Sequence, residues 1–157
     1  MINIKLSILI NRPTDQVWTY MTNVANAKHW MSGVIEARTI SGGSMGVGLK
    51  VRKVQRICGL LTDIIYDTTE YDPNKKIAYK TLSGTMSEFL SYEASITLEF
   101  VKAGTKLVYR GQGSLHGFLR PAEPLFTFVM KRRFRKDFNT LKKLVETQGE
   151  AVRLLGF

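Results

Sequence analysis

The chain has one cysteine, Cys58, in 157 residues. That excludes a disulfide within the chain and any zinc site built from cysteines. Its two histidines, His29 and His116, have neither a second histidine nor a cysteine at ligand spacing, so no metal and no cofactor is expected. Long apolar runs are also missing, and nothing approaches the ~18 apolar residues of a membrane span. Leu6–Ile10 is short, is flanked by Lys5 and Asn11-Arg12-Pro13, and precedes no small-residue cleavage pattern. A soluble cytoplasmic protein is the expectation. Ser32, Ser87 and Ser114 lie in no nucleophile-elbow pattern. The loop Gly42–Gly48 lacks the Gly-Lys-Ser/Thr ending of a phosphate loop and reads instead as a mobile hairpin.

Acidic residues are scarce: 13 against 23 basic ones, a net charge of +10. Such a surface attracts polyanions. The excess concentrates in Lys50–Arg56 and Lys131–Lys143. On a helical wheel Arg132, Lys136 and Lys143 oppose the apolar seam through Phe134, as a solvated back face does. No outward aromatic interleaves with them, so nucleic acid is not an expected partner.

What is present is a single folded domain over residues 1–157, with hydrophobic residues making up 44% of the chain. Ile2, Ile4, Leu6, Ile8 and Ile10 alternate with polar residues and predict a half-buried strand. Pro13-Thr14-Asp15 opens a short helix, with Thr14 in the cap position. A second short helix is expected over Ala25–Met31, stopped at Gly33. Strands follow at Val34–Ile40, Leu49–Ile57, Leu61–Tyr71, Ile77–Leu82, 86–101 and Lys106–Leu115, joined by hairpin-length turns that imply an antiparallel sheet. A long helix closes the chain at about 121–148. Its seam is Met130, Phe134, Phe138, Leu141 and Val145, whereas Leu125–Met130 is apolar all the way round. This order, β-α-α-β6-α with about seven strands, is α+β.

Ile10–Trp18, with its Arg-Pro-Thr-Asp-Gln-Val-Trp run, resembles the opening of the first helix in the START-like (SRPBCC) superfamily. The similar branch is the polyketide cyclase/dehydrase and lipid-transport family. His29-Trp30, Gly46-Val47-Gly48 and Gly117–Leu125 match further structural motifs of that family, and the resemblance covers nearly the whole chain. It implies a helix-grip fold, in which a curved antiparallel sheet wraps the last helix around an elongated apolar cavity. Members bind lipids, sterols, polyketides, hormones or quinones, and some are cyclases or hydrolases. The resemblance carries no shared catalytic set.

Strand alternation nominates the cavity wall. Leu90, Tyr92, Ala94, Ile96, Leu98 and Phe100 share one face, which continues backwards to Glu88 and Met86. Leu107, Tyr109, Gly111, Gly113 and Leu115 share another, and the glycines leave room for a strand bend or a ligand. Leu49, Val51 and Ile57 share a face with Lys53 and Gln55, and Tyr79 follows Ile77. An inward lysine must pair, snorkel or bind something. His116 is expected near the cavity mouth, with Phe126, Met130 and Phe134 on the helix side. Three functions fit these features. The first is a carrier or binding protein for a hydrophobic small molecule. The second is a cyclase or dehydratase using Tyr92, Lys53, Glu88 or His116 as acid–base groups. The third is a protein docking by its basic helix on membrane or RNA. Leu125, Phe128 and Val129, on the helix's back, suit a homodimer or an anionic-membrane contact.

Overall fold

A computed structural model describes residues 1–41, 45–85 and 87–154, with side chains described to residue 148. The expected turn at Ser41–Ser44 and the inward Met86 therefore fall largely outside the described residues. The elements are β1 (Ile2–Ile10), α1 (Thr14–Thr22), a 3-10 turn (Val24–Asn26), α2 (Ala27–Trp30) and β2 (Val34–Thr39). They continue with β3 (Lys50–Ile57), β4 (Leu60–Asp72), β5 (Lys76–Gly84), β6 (Leu90–Val101), β7 (Gly104–Leu115), a second 3-10 turn (Gly117–Ala122) and α3 (Glu123–Leu154).

The strands form one 7-stranded sheet in the order β1-β7-β6-β5-β4-β3-β2, antiparallel at every pairing. Each strand after β2 pairs with the next by a hairpin, and the α1–α2 crossover carries the chain from one sheet edge to the other. Register shifts at Val34/Glu36, Ile65/Tyr66 and Thr68/Glu70 bend the sheet. The bent sheet closes around α3, 32 residues and roughly 48 Å long.

The core lies between them. Ile2, Ile4 and Ile10 of β1, Leu107 and Tyr109 of β7, and Phe138, Leu141 and Val145 of α3 are buried together, as the alternation and the helical seam require. Trp18 of α1 meets Tyr71 edge to face at 5.4 Å.

Five local expectations change. Thr14 is the first helical residue and caps nothing; Pro13 precedes it, and its carbonyl accepts from the amides of Gln16 and Val17. α3 starts two residues late because Gly117–Ala122, with Pro121 inside, winds as a 3-10 turn. It also runs on to Leu154, past Gly149. β6 starts at Leu90, since the chain from Gly84 to Phe89 is a turn in which the Ser87 amide donates to Gly84. Phe100 is exposed, because it sits at the hairpin end of β6, opposite Thr105 and beyond the reach of α3.

Leu141 is fully buried, so Leu141→Ala should cost about 2–5 kcal/mol in urea unfolding. Leu125 is 67% exposed on the same helix, and Leu125→Ala should stay within about 0.5 kcal/mol.

Candidate functional site: a cavity between sheet and helix

The sheet bends farther than the side chains of α3 can fill. Two adjoining chambers remain, of about 70 Å³ and 90 Å³. The first lies beneath α3, against Phe126, Met130, Phe134 and Phe138. The second lies toward α1 and α2, against Met21, Val24 and Ala27, with Met45 and Leu49 on its other side. Trp30, Met31, Lys53, Tyr66, Tyr79 and Ile96 line both. Each chamber is about half the ~150 Å³ of an engineered cavity that takes benzene, and joined they match it.

Most of the residues nominated by alternation meet here. Lys53, Gln55, Tyr79, Tyr92, Tyr109, Phe126, Met130 and Phe134 line the first chamber. Two nominations are corrected. Glu88 is exposed on the turn before β6, because the β6 alternation does not continue through that turn. His116 is exposed one residue past the end of β7, where its ring and the Ser91 hydroxyl share a hydrogen bond of 2.9 Å on the sheet's outside. His29 is exposed as well. Among the described residues, no group of three His, Cys, Asp or Glu could hold a metal ion.

The polar wall is built from tyrosines. Tyr66 of β4 meets Tyr79 of β5 edge to face at 5.6 Å, and its hydroxyl accepts from Gln55 Nε2 at 2.8 Å. The Tyr92 and Tyr109 hydroxyls bond each other at 2.5 Å, and the Tyr109 ring packs on Phe134 and Phe138. Desolvation raises the pKa of all four phenols: Tyr92 is pushed up to about 12 even though its bond to Tyr109 opposes this, and Tyr66, Tyr79 and Tyr109 also rise. These hydroxyls therefore keep their protons near neutral pH and serve as hydrogen-bond groups. The glycines opposite serve Tyr92. A Cβ on Gly111 would overlap the Tyr92 hydroxyl, and one on Gly113 would overlap the Ser91 carbonyl and crowd the Tyr92 ring. The room they leave holds a side chain and permits a bend.

Three wall residues were not nominated from the sequence: Asp137 and Arg133 of α3, and Tyr66 of β4. Asp137, 3% exposed on α3, accepts from the Ser32 amide at 2.9 Å and the Ser32 hydroxyl at 2.6 Å. Burial nevertheless raises its pKa, more than those bonds lower it. Arg133, one turn earlier, donates to the carbonyls of Arg56, at 2.6 Å, and Ser32. Gly33, at φ +80°, lets that guanidinium approach, since a Cβ there would lie 2.9 Å from it. Tyr66 shares the inward phase of Thr62 and Ile64, which was the available signal. For Asp137 and Arg133 the signal was their spacing of three or four from the seam residues Met130, Phe134 and Leu141.

Lys53 stands between the chambers. Its Nζ lies 3.5 Å from Met31 Sδ and 5.0 and 5.6 Å from the ring centres of Tyr66 and Tyr79. Desolvation, with Arg133 adding and Asp137 opposing, lowers its pKa to about 8.

Elsewhere on α3, Leu125 and Phe128 are exposed and Val129 is at its surface, close in sequence to the exposed Lys131 and Arg132. Among the described residues, no helix is long and apolar enough to cross a membrane.

The family model described as "Polyketide cyclase / dehydrase and lipid transport" matches residues 1–146. No curated protein matches the chain. Among solved structures, the Zhui aromatase/cyclase from Streptomyces sp. R1128 superposes with a TM-score of 0.78 at 16% identity, over 92% of this chain and 93% of that one. TTHA0849 from Thermus thermophilus gives 0.79 at 15% identity, over 93% and 98%. The di-domain aromatase/cyclase StfQ of the steffimycin biosynthetic pathway gives 0.80 at 11% identity, over 95% of this chain and 52% of that one. At these identities the likeness is one of fold.

Because the folded state depresses the Lys53 pKa, it binds fewer protons than the unfolded chain between about pH 8 and 10.5. The stability linked to Lys53 is thus present above the unfolded value and is lost as pH falls through about 8. Urea unfolding should show stability rising from about pH 8 to about pH 9, before the tyrosines of the unfolded chain begin to ionise and the four raised phenols turn the slope downward. Lys53→Met should abolish the rise and add about 1–2 kcal/mol at pH 7. A variant that keeps the rise would assign it to another group.

Proposed function

The chain belongs to the polyketide cyclase/dehydrase and lipid-transport family, and from that premise we infer that it is a carrier or binding protein for a hydrophobic small molecule. The ligand is a lipid, polyketide, isoprenoid or similar compound, held between the sheet and α3. The observation that carries this is the incompletely filled helix–sheet interface: a protein that needed only stability would pack it. The wall supports the same reading. It is mostly apolar, with a few convergent polar groups, as small-molecule sites are. We place the activity in the cytoplasm, where the exposed thiol of Cys58 stays reduced.

A cyclase or dehydratase is the second reading, and Lys53 is what favours it. Its amine, titrating near pH 8 over the face of the Tyr66 ring in the cavity wall, is the group suited to proton transfer. Neither Glu88 nor His116 is available to help from inside the cavity. The exposed group Leu125, Phe128 and Val129 is the surface we would assign to a second copy or an anionic membrane, as loading and delivery by a carrier require.

Native mass spectrometry of the purified protein should show lipid-like mass that organic extraction removes. Adding the extract back should change the emission of Trp30, which lines both chambers. If nothing is extracted and no apolar probe alters that emission, the carrier reading fails. For the enzyme reading, the α-hydrogens of acetophenone should exchange with deuterium oxide in the presence of the wild type. Lys53→Met should lose that exchange, and a wild type without it removes the second reading.

A further inference from the structure

The amine of Lys53 is poorly served by its surroundings. β3 turns it inward, where it is half-buried and leaves the open solvent a surface lysine has on every side. An ammonium carries three donors and no acceptor. The groups around it are a thioether, a weak acceptor at 3.5 Å, and two ring faces. No ion pair reaches it among the described residues. Asp137 bears on it electrostatically, but that carboxylate is engaged with Ser32.

The rest of the wall leans the same way. Tyr66 accepts from Gln55, which leaves its own hydroxyl hydrogen to donate. In the Tyr92–Tyr109 pair, the hydroxyl that accepts also keeps a hydrogen for another partner. Trp30 Nε1 and Arg133 Nε, on two further lining residues, are buried without an acceptor. A hydrocarbon guest would satisfy none of these donors and would leave a charged amine facing it, at high cost.

Resting on the reading of the cavity as a ligand site, we propose that its ligand is an amphipathic organic anion. An apolar ring or short chain bears one carboxylate or enolate oxygen, and that oxygen docks on Lys53. The apolar body lies against Phe134, Met130 and Ile96, and the Tyr66 hydroxyl donates to the second lone pair or second oxygen. The joined chambers set the size of this body at about one six-membered ring.

Calorimetric titration of the wild type with benzoate and hexanoate, against benzyl alcohol and 1-hexanol, tests this directly. The carboxylates should bind at least about tenfold more tightly than the alcohols, since the ammonium then meets an opposite charge and not only a neutral oxygen. Lys53→Met should level the two series, with the carboxylates losing at least about tenfold more affinity than the alcohols. The groups facing the amine are Tyr66 of β4, Tyr79 of β5, and Arg133 and Asp137 of α3; the phenols stay neutral and Arg133 stays charged. The preference for carboxylates should therefore shrink as pH rises past about 8, where the free amine forms. Alcohols that bind the wild type as tightly as the carboxylates do would overturn the proposal and leave the ligand cavity standing. Benzoate binding undiminished in Lys53→Met would overturn the docking at that amine. Failure of both series to bind the wild type would overturn the proposal and the cavity reading together.

Discussion

A clasp on one side of α3 determines where the helix lies. Asp137 receives both donors of Ser32, while Arg133 reaches the carbonyls of Ser32 and Arg56. A buried carboxylate and a guanidinium are costly to desolvate, so they persist only where their hydrogen bonds are met. Here those bonds tie α3 to the chain just before β2 and to the end of β3, on the side of the sheet opposite β1. β1 secures the other side through Ile2, Ile4 and Ile10 against the α3 seam. Held on both flanks, the helix cannot settle deeper into the bend, and the chambers persist between these two attachments.

The interior then divides its labour by side-chain size. Glycines at 111 and 113 remove bulk from β7, and the Tyr92 ring from β6 occupies that space. The exchange brings a hydroxyl to a depth where a leucine would have brought only methyl groups. Together with Tyr66, Tyr79 and Tyr109, Tyr92 gives a wall that is apolar by area and hydrogen-bonding at its tips. Such a wall can orient a guest without the cost of burying further charges.

The fold was legible because period-two alternation and a three-to-four-residue seam are both strong signals, and they agreed with the turn chemistry. The inward residues on strand interiors, Lys53, Gln55, Tyr79, Tyr92 and Tyr109, followed from the same alternation. The failures occur where periodicity stops. Glu88 was assigned by carrying β6 backwards through a turn, and His116 by carrying the mouth past the end of β7. Asp137 and Arg133 were hidden for a different reason. They sit within a run of basic residues, and their partners, Ser32 and Arg56, are distant in sequence. Charge pattern alone reads such a run as solvated, and only the tertiary arrangement shows that two of its members turn inward.

Lys53 is the one charged side chain among the six that line both chambers. Its stem is unbranched, so alternative staggered rotamers differ by little energy and interconvert far faster than any backbone rearrangement. A change of rotamer there would move a charge along the wall where the two chambers adjoin, while the sheet and the clasp on α3 stay as they are.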